Sequence, residues 1–100
     1  MSKNIHSLFE EFKKTPFPEL GKVVGDFAFY DSLMAGIVTS FLEGAYIGAD
    51  QIPAPDHDTE EILKVLTKKS TPTQQEADFL NYARLLAELR AEVVKAVKRR

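Results

Sequence analysis

Few residues of this chain combine a type and a spacing that could do chemistry. The first candidates are the acidic run Asp56-His57-Asp58-Thr59-Glu60-Glu61, where carboxylates flank an imidazole and could raise its pKa or share a cation with it. The spacing does not fit a known ligand set. If Asp56 opened a calcium loop, Glu61 would stand where glycine is required and Thr67 where the bidentate Glu belongs. Ala54 and Lys3 stand three residues before His57 and His6, so neither histidine completes a Glu-x-x-His pair. Asp56, His57 and Asp58 are the best metal-ligand candidates here, and they read more simply as caps and first-turn acids of a helix. His6 lies beside an apolar helix stripe without a ligand-spaced neighbour. No nucleophile elbow is present, and Gly21-x-x-x-Gly25 and Gly44-x-x-x-Gly48 lack the following Lys-Ser/Thr of a phosphate loop. The expectation is therefore no catalytic residue, no metal and no cofactor.

Two charged residues stand out by position. Asp31 falls on an apolar helix face, with Phe27, Ala35 and Val38 at i−4, i+4 and i+7. Arg90 is set among Leu86, Val93, Val94 and Val97 at helical spacing. A half-buried charge needs a partner, so Asp31 and Arg90 are expected to form an ion pair in or beside the core, within one chain or across a dimer interface. A competing reading makes Asp31 an acid raised by burial, in a pocket between helices with Asp26, Tyr30 and Arg90.

These residues sit in or against the most apolar segment of the chain, where small residues recur every four positions at Ser32, Gly36, Ser40, Gly44 and Gly48. Such a row removes side chains from a helix surface and admits another backbone, with a crossing near −50°. Each four-residue step drifts about 40° around the helix. Helix contact is therefore assigned to the C-terminal half of the row, Ser40, Gly44 and Gly48, while Ser32 and Gly36 join a polar or small stripe with Thr39 and Glu43.

The elements that must hold these positions are all helical. Apolar residues recur at spacings of three and four, and no alternating strand pattern occurs. The spacing predicts helices over 4–14, 19–50, 58–69 and 72–98, forming one all-α domain: a compact bundle of about four helices, two long and two short, which dimerisation could complete. Asn4 is expected to cap the first, Asp56 or Asp58 the third, and Thr73 with Glu76 to form a capping box on the fourth. Thr15-Pro16-Phe17-Pro18 and Gln51-Ile52-Pro53-Ala54-Pro55 are stiff connectors. The second helix, with the apolar residues Leu20, Val23, Val24, Phe27, Met34, Val38, Phe41 and Leu42, is expected to be the central one. The fourth is the most amphipathic, with Phe79, Tyr82, Ala83, Leu86, Leu89, Val93 and Val97 on one side.

Composition narrows the function classes. One hundred residues carry 13 Lys plus Arg against 15 Asp plus Glu, a net charge of −2, which gives no field to recruit nucleic acid. Cysteine is absent, which rules out disulfides and leans toward a reducing cytosol. Lys3, Glu10, Glu11, Lys13 and Lys14 interrupt any secretory h-region, so a cytoplasmic location is expected. A span over Phe27–Ala49 would have to bury Asp31 and Glu43, and no membrane span is expected. The basic end, Lys95, Lys98, Arg99 and Arg100, complements a helix dipole. The leading expectation is a non-catalytic helical protein that works by protein–protein contact, most economically as a homodimer. The alternatives are a small-ligand-binding protein or enzyme using the pocket around Asp26, Tyr30, Asp31 and Arg90, and a protein associated with a membrane surface.

Overall fold

An amphipathic stripe buries itself wherever a partner stripe exists, and in this chain most stripes meet on one helix. The computed structural model describes residues 4–18 and 24–99. It contains α1 (Ile5–Lys14), α2 (Val24–Leu42), a 3-10 turn (Ala49–Gln51), α3 (His57–Lys68) and α4 (Gln74–Lys98), with no strand among the described residues. The architecture is the all-α bundle of about four helices that the periodicity implies.

The helix starts follow local chemistry. Asn4 accepts a hydrogen bond from the Ser7 amide at 2.8 Å, Asp56 from the Thr59 amide at 2.8 Å, and Thr73 from the Glu76 amide at 3.1 Å. Glu76 returns the last contact by accepting from the Thr73 amide at 2.9 Å, which closes the capping box. α3 is therefore capped by Asp56, not Asp58. Lys69 at the end of α3 reaches Glu76 at 2.8 Å and ties the two helices together across their short connection.

The helix expected over 19–50 ends at Leu42, and this is the largest departure from the sequence reading; positions 19–23 lie outside the described residues. The stop is a Schellman motif. Gly44 has φ +92°, its amide donates to the Phe41 carbonyl at 3.1 Å, and the Ala45 amide donates to the Ser40 carbonyl at 3.0 Å. Only glycine takes that backbone conformation without strain, so the residue read as part of a helix row is the one that ends the helix. Through Asp31-Ser32 the helix is continuous.

α4, not α2, is the hub. α1, α2, α3 and the 3-10 turn all pack on it. Phe79, Leu89 and Val93 are fully covered and Leu86 nearly so, and they meet Leu8, Phe9 and Phe12 of α1, Phe27, Tyr30, Met34 and Val38 of α2, Ile47 and Ile52 of the connector, and Leu66 of α3. Rings concentrate at one end of this core. Tyr82 lies 5.0 Å from Phe12, 5.4 Å edge-on from Phe17 and 5.9 Å from Phe27, while Phe27 lies 4.9 Å from Phe79.

Candidate interaction face and polar cluster

Burying Phe27, Tyr30, Met34 and Val38 turns one side of α2 inward. At 100° per residue the opposite side carries Phe29, Leu33, Gly36 and Ser40, with Ser32 and Thr39 flanking them. All six are exposed; Phe29 is 69% and Leu33 43% accessible, although both are large apolar residues. Among the described residues of α2 no charged side chain stands on this outer side, and the Thr39 hydroxyl folds back to donate to the Ala35 carbonyl at 2.8 Å. A Cβ placed on Gly36 would meet nothing within 4 Å. α2 thus carries large apolar side chains on both sides and is covered on one.

An open cleft runs along the flank of this face. It is lined by Phe29, Tyr30 and Leu33 of α2 and by Pro53, Ala54 and Asp56 of the connector, with a volume of about 260 Å³. Arg90 of α4 fixes the connector wall, its Nε donating to the Pro53 carbonyl at 2.7 Å. Burial pushes the Tyr30 hydroxyl up, the Arg90 cation opposes this, and the Asp31 charge adds to it.

Within the chain Asp31 and Arg90 do not pair. Asp31 Oδ1 accepts a hydrogen bond from the Tyr82 hydroxyl at 2.7 Å, and Arg90 is engaged with Pro53. Burial raises the Asp31 carboxyl above the ordinary carboxylate range and the Tyr82 hydrogen bond partly offsets this, while burial first and the same hydrogen bond second hold the Tyr82 hydroxyl far above its usual value. Both charges found neutral partners, one a phenol and the other a backbone carbonyl. Neither kind of partner is visible in a count of opposite charges. Of the proposed pocket residues, Tyr30 lines the cleft, Asp31 turns to Tyr82, Arg90 supports the wall, and the Asp26 side chain lies outside the described set.

The helix-contact assignment to Ser40, Gly44 and Gly48 is corrected in the same way. Gly44 and Gly48 lie beyond the end of α2, Gly44 facing open space and Gly48 folding against its own loop, where its amide donates to Gln51 Oε1 at 2.8 Å. Of the three, only Ser40 remains on the helix, beside Gly36 rather than Gly44. At the acidic run, the Asp56 carboxylate is spent on the Thr59 amide, His57 Nε2 stands 4.0 Å from Glu61, and the Asp58 side chain is outside the described residues. The Thr59 hydrogen bonds hold the Asp56 carboxyl below its usual range. Among the described residues no group of three or more His, Asp or Glu is placed to hold a metal ion. No helix among them is long and apolar enough to cross a membrane. The residue of this face that sequence reasoning missed is Leu33, and the signal lay in the near-uniform hydropathy of α2, since a helix apolar all round has more face than a small bundle can cover.

Comparison of the chain with protein-family models, with curated protein sequences and with solved structures finds no match.

Proposed function

We propose that this is a non-catalytic protein that works by contact with another protein, through the outer face of α2. The observation that carries the reading is the exposure of Phe29 and Leu33 side by side on α2, with no charged side chain between them among the described residues. Exposing two large apolar side chains next to each other costs solubility, and continuous patches of this kind rimmed by polar residues mark interaction sites. The polar cluster supports the same reading from the other direction. Asp31 and Arg90, the groups a catalytic pocket would use, are held by Tyr82 and Pro53 and serve packing.

Photo-crosslinking in the native cell tests this. A photoreactive phenylalanine analogue at position 29 should give covalent adducts with protein, whereas the same analogue at Glu60 on the outer side of α3 should give few. Position 29 yielding no more adduct than position 60 would remove the support for a contact face.

The cleft beside Phe29 favours a second, lesser reading, a site for a small apolar ligand. At about 260 Å³ it lies just under the usual range of ligand pockets, and Asp56 on its rim disfavours an anionic ligand. A thermal-shift screen of small aromatic and aliphatic compounds reads it directly, a flat response counting against it.

A further inference from the structure

The bare face of α2 lies in a stretch of the chain with one sign of charge. Positions 23–56, which supply α2, the connector and the walls of the cleft, contain Asp26, Asp31, Glu43, Asp50 and Asp56 but no Lys, Arg or His, so all 13 Lys and Arg lie elsewhere. Continued at its own three-and-four spacing, the strip Phe29, Leu33, Gly36, Ser40 takes in Asp26 before it and Glu43 after it. A second copy laid antiparallel on the strip would set those two acids against each other, twice over. Glu43 keeps the helical register, because its amide still donates to the Thr39 carbonyl at 3.1 Å. It is exposed, has no ion pair among the described residues, and stands at the negative end of a helix whose last turn has no basic residue. The fold gives no reason for an acid there, whereas a cation brought from outside would.

The cleft beside the strip repeats the pattern. Phe29, Leu33, Pro53 and Ala54 give it apolar walls, and its one charged lining group among the described residues is the Asp56 carboxylate, exposed and kept ionised by its Thr59 hydrogen bonds. Tyr30 lines it as well, 8% accessible, with a hydroxyl that makes no hydrogen bond among the described residues. Apolar walls that end at a carboxylate fit a Lys or Arg side chain, its stem on the walls and its head at Asp56. The cations of α4 do not fill this role: Arg90 is half-buried and held on the Pro53 carbonyl, and Arg99 lines a separate cleft with Leu42, on the opposite side of α2 from the strip. Resting on the reading of this face as a protein contact, we infer that its occupant is a basic amphipathic helix of another protein, with apolar side chains at intervals of three and four laid along Phe29, Leu33, Gly36 and Ser40, and with Lys or Arg meeting Glu43 at one end and Asp56 in the cleft. Gly36 and Ser40 keep the middle of the strip low, and side chain added at Gly36 meets nothing in its own chain, so large residues of the partner can seat there. From Asp26 to Glu43 the strip is about 26 Å long, which matches a helix of about 18 residues. The same charge turns away nucleic acid and anionic lipid.

The photoreactive phenylalanine analogue at position 29 also reads the partner's chemistry. Mass-spectrometric sequencing of its adducts should place the linked segment in another protein, with apolar residues three and four apart and an excess of Lys and Arg. Glu43→Lys/Asp56→Asn tests the charges with the fold retained, since a cation suits a helix C-terminus and Asn caps a helix as well as Asp does. The double variant should lower the adduct yield at position 29 by about three- to tenfold at unchanged helicity. Glu88→Lys, on the outer side of α4, should leave the yield as it is. An undiminished yield in the double variant, or adducts in a neutral or acidic segment, overturns the basic partner while the contact reading stands. Adducts within a second copy of this chain overturn it in favour of self-association. A yield at position 29 no higher than at position 60 removes both.

Discussion

α2 and α4 are both rich in apolar residues, yet one is wrapped and the other is half bare. α4 confines its apolar side chains to one side and gives the rest to Asn81, Arg84, Glu88 and other exposed polar residues, so three helices can cover its stripe and water takes what remains. α2 carries apolar residues around most of its circumference, and the bundle covers only the side facing α4. The difference teaches that centrality follows the sharpness of the amphipathic boundary more than total hydropathy. An apolar residue beyond that boundary is a candidate for business outside the chain.

The comparison breaks first at α4. Leu89→Ala should destabilise the fold by about 3–5 kcal/mol, the cost of a cavity at a fully buried hub position, measured by urea unfolding. A loss below about 1 kcal/mol would mean that α4 is not the hub. Next comes the contact between the two helices. Tyr82→Phe keeps the ring cluster and removes the hydrogen bond to a half-buried carboxylate, for an expected loss of about 1.5–3 kcal/mol at neutral pH.

A pH series isolates Asp31. Its folded pKa lies above its unfolded value, so the stability it contributes is full below the ordinary carboxylate value of about 3.9 and is lost as pH rises through the raised folded value. Asp31→Asn removes that loss while keeping an acceptor for Tyr82. The difference in thermal midpoint, variant minus wild type, should therefore increase from about pH 3 to about pH 7; a flat or falling difference contradicts the assignment. The smallest effect on the fold belongs to the bare side of α2. Phe29→Ser should change the stability of the isolated chain by no more than about 0.5 kcal/mol, in contrast to Leu89→Ala. A loss as large as that at Leu89 would show Phe29 to be core, and the contrast between the helices would collapse.

α4 was legible residue by residue, because a clean 3.6 period leaves only one side to bury: Phe79, Tyr82, Ala83, Leu86, Leu89 and Val93 are its buried set. The caps at Asn4 and Thr73 were legible for a similar local reason. Gly44 was not, since a glycine four residues after Ser40 continues a helical row as readily as it ends one; its positive φ decides between them and leaves no trace in spacing. The partners of Asp31 and Arg90 were hidden for another reason. Charge suggests charge, whereas three-dimensional proximity offered a phenol and a carbonyl, and a backbone acceptor such as Pro53 is the same at every position in a sequence.

The packing of every other helix on α4 also sets an order in time. During synthesis α1, α2 and α3 leave the ribosome before the surface they all need exists, and they pack little on one another. Their apolar stripes must wait as a loose, collapsed chain, open to chaperones and to neighbouring chains, until the last of the four helices emerges and closes the long loop from α1. Folding is then expected to be a single late event rather than a growth from the N-terminus, and a chain halted before Phe79 should have no native core at all.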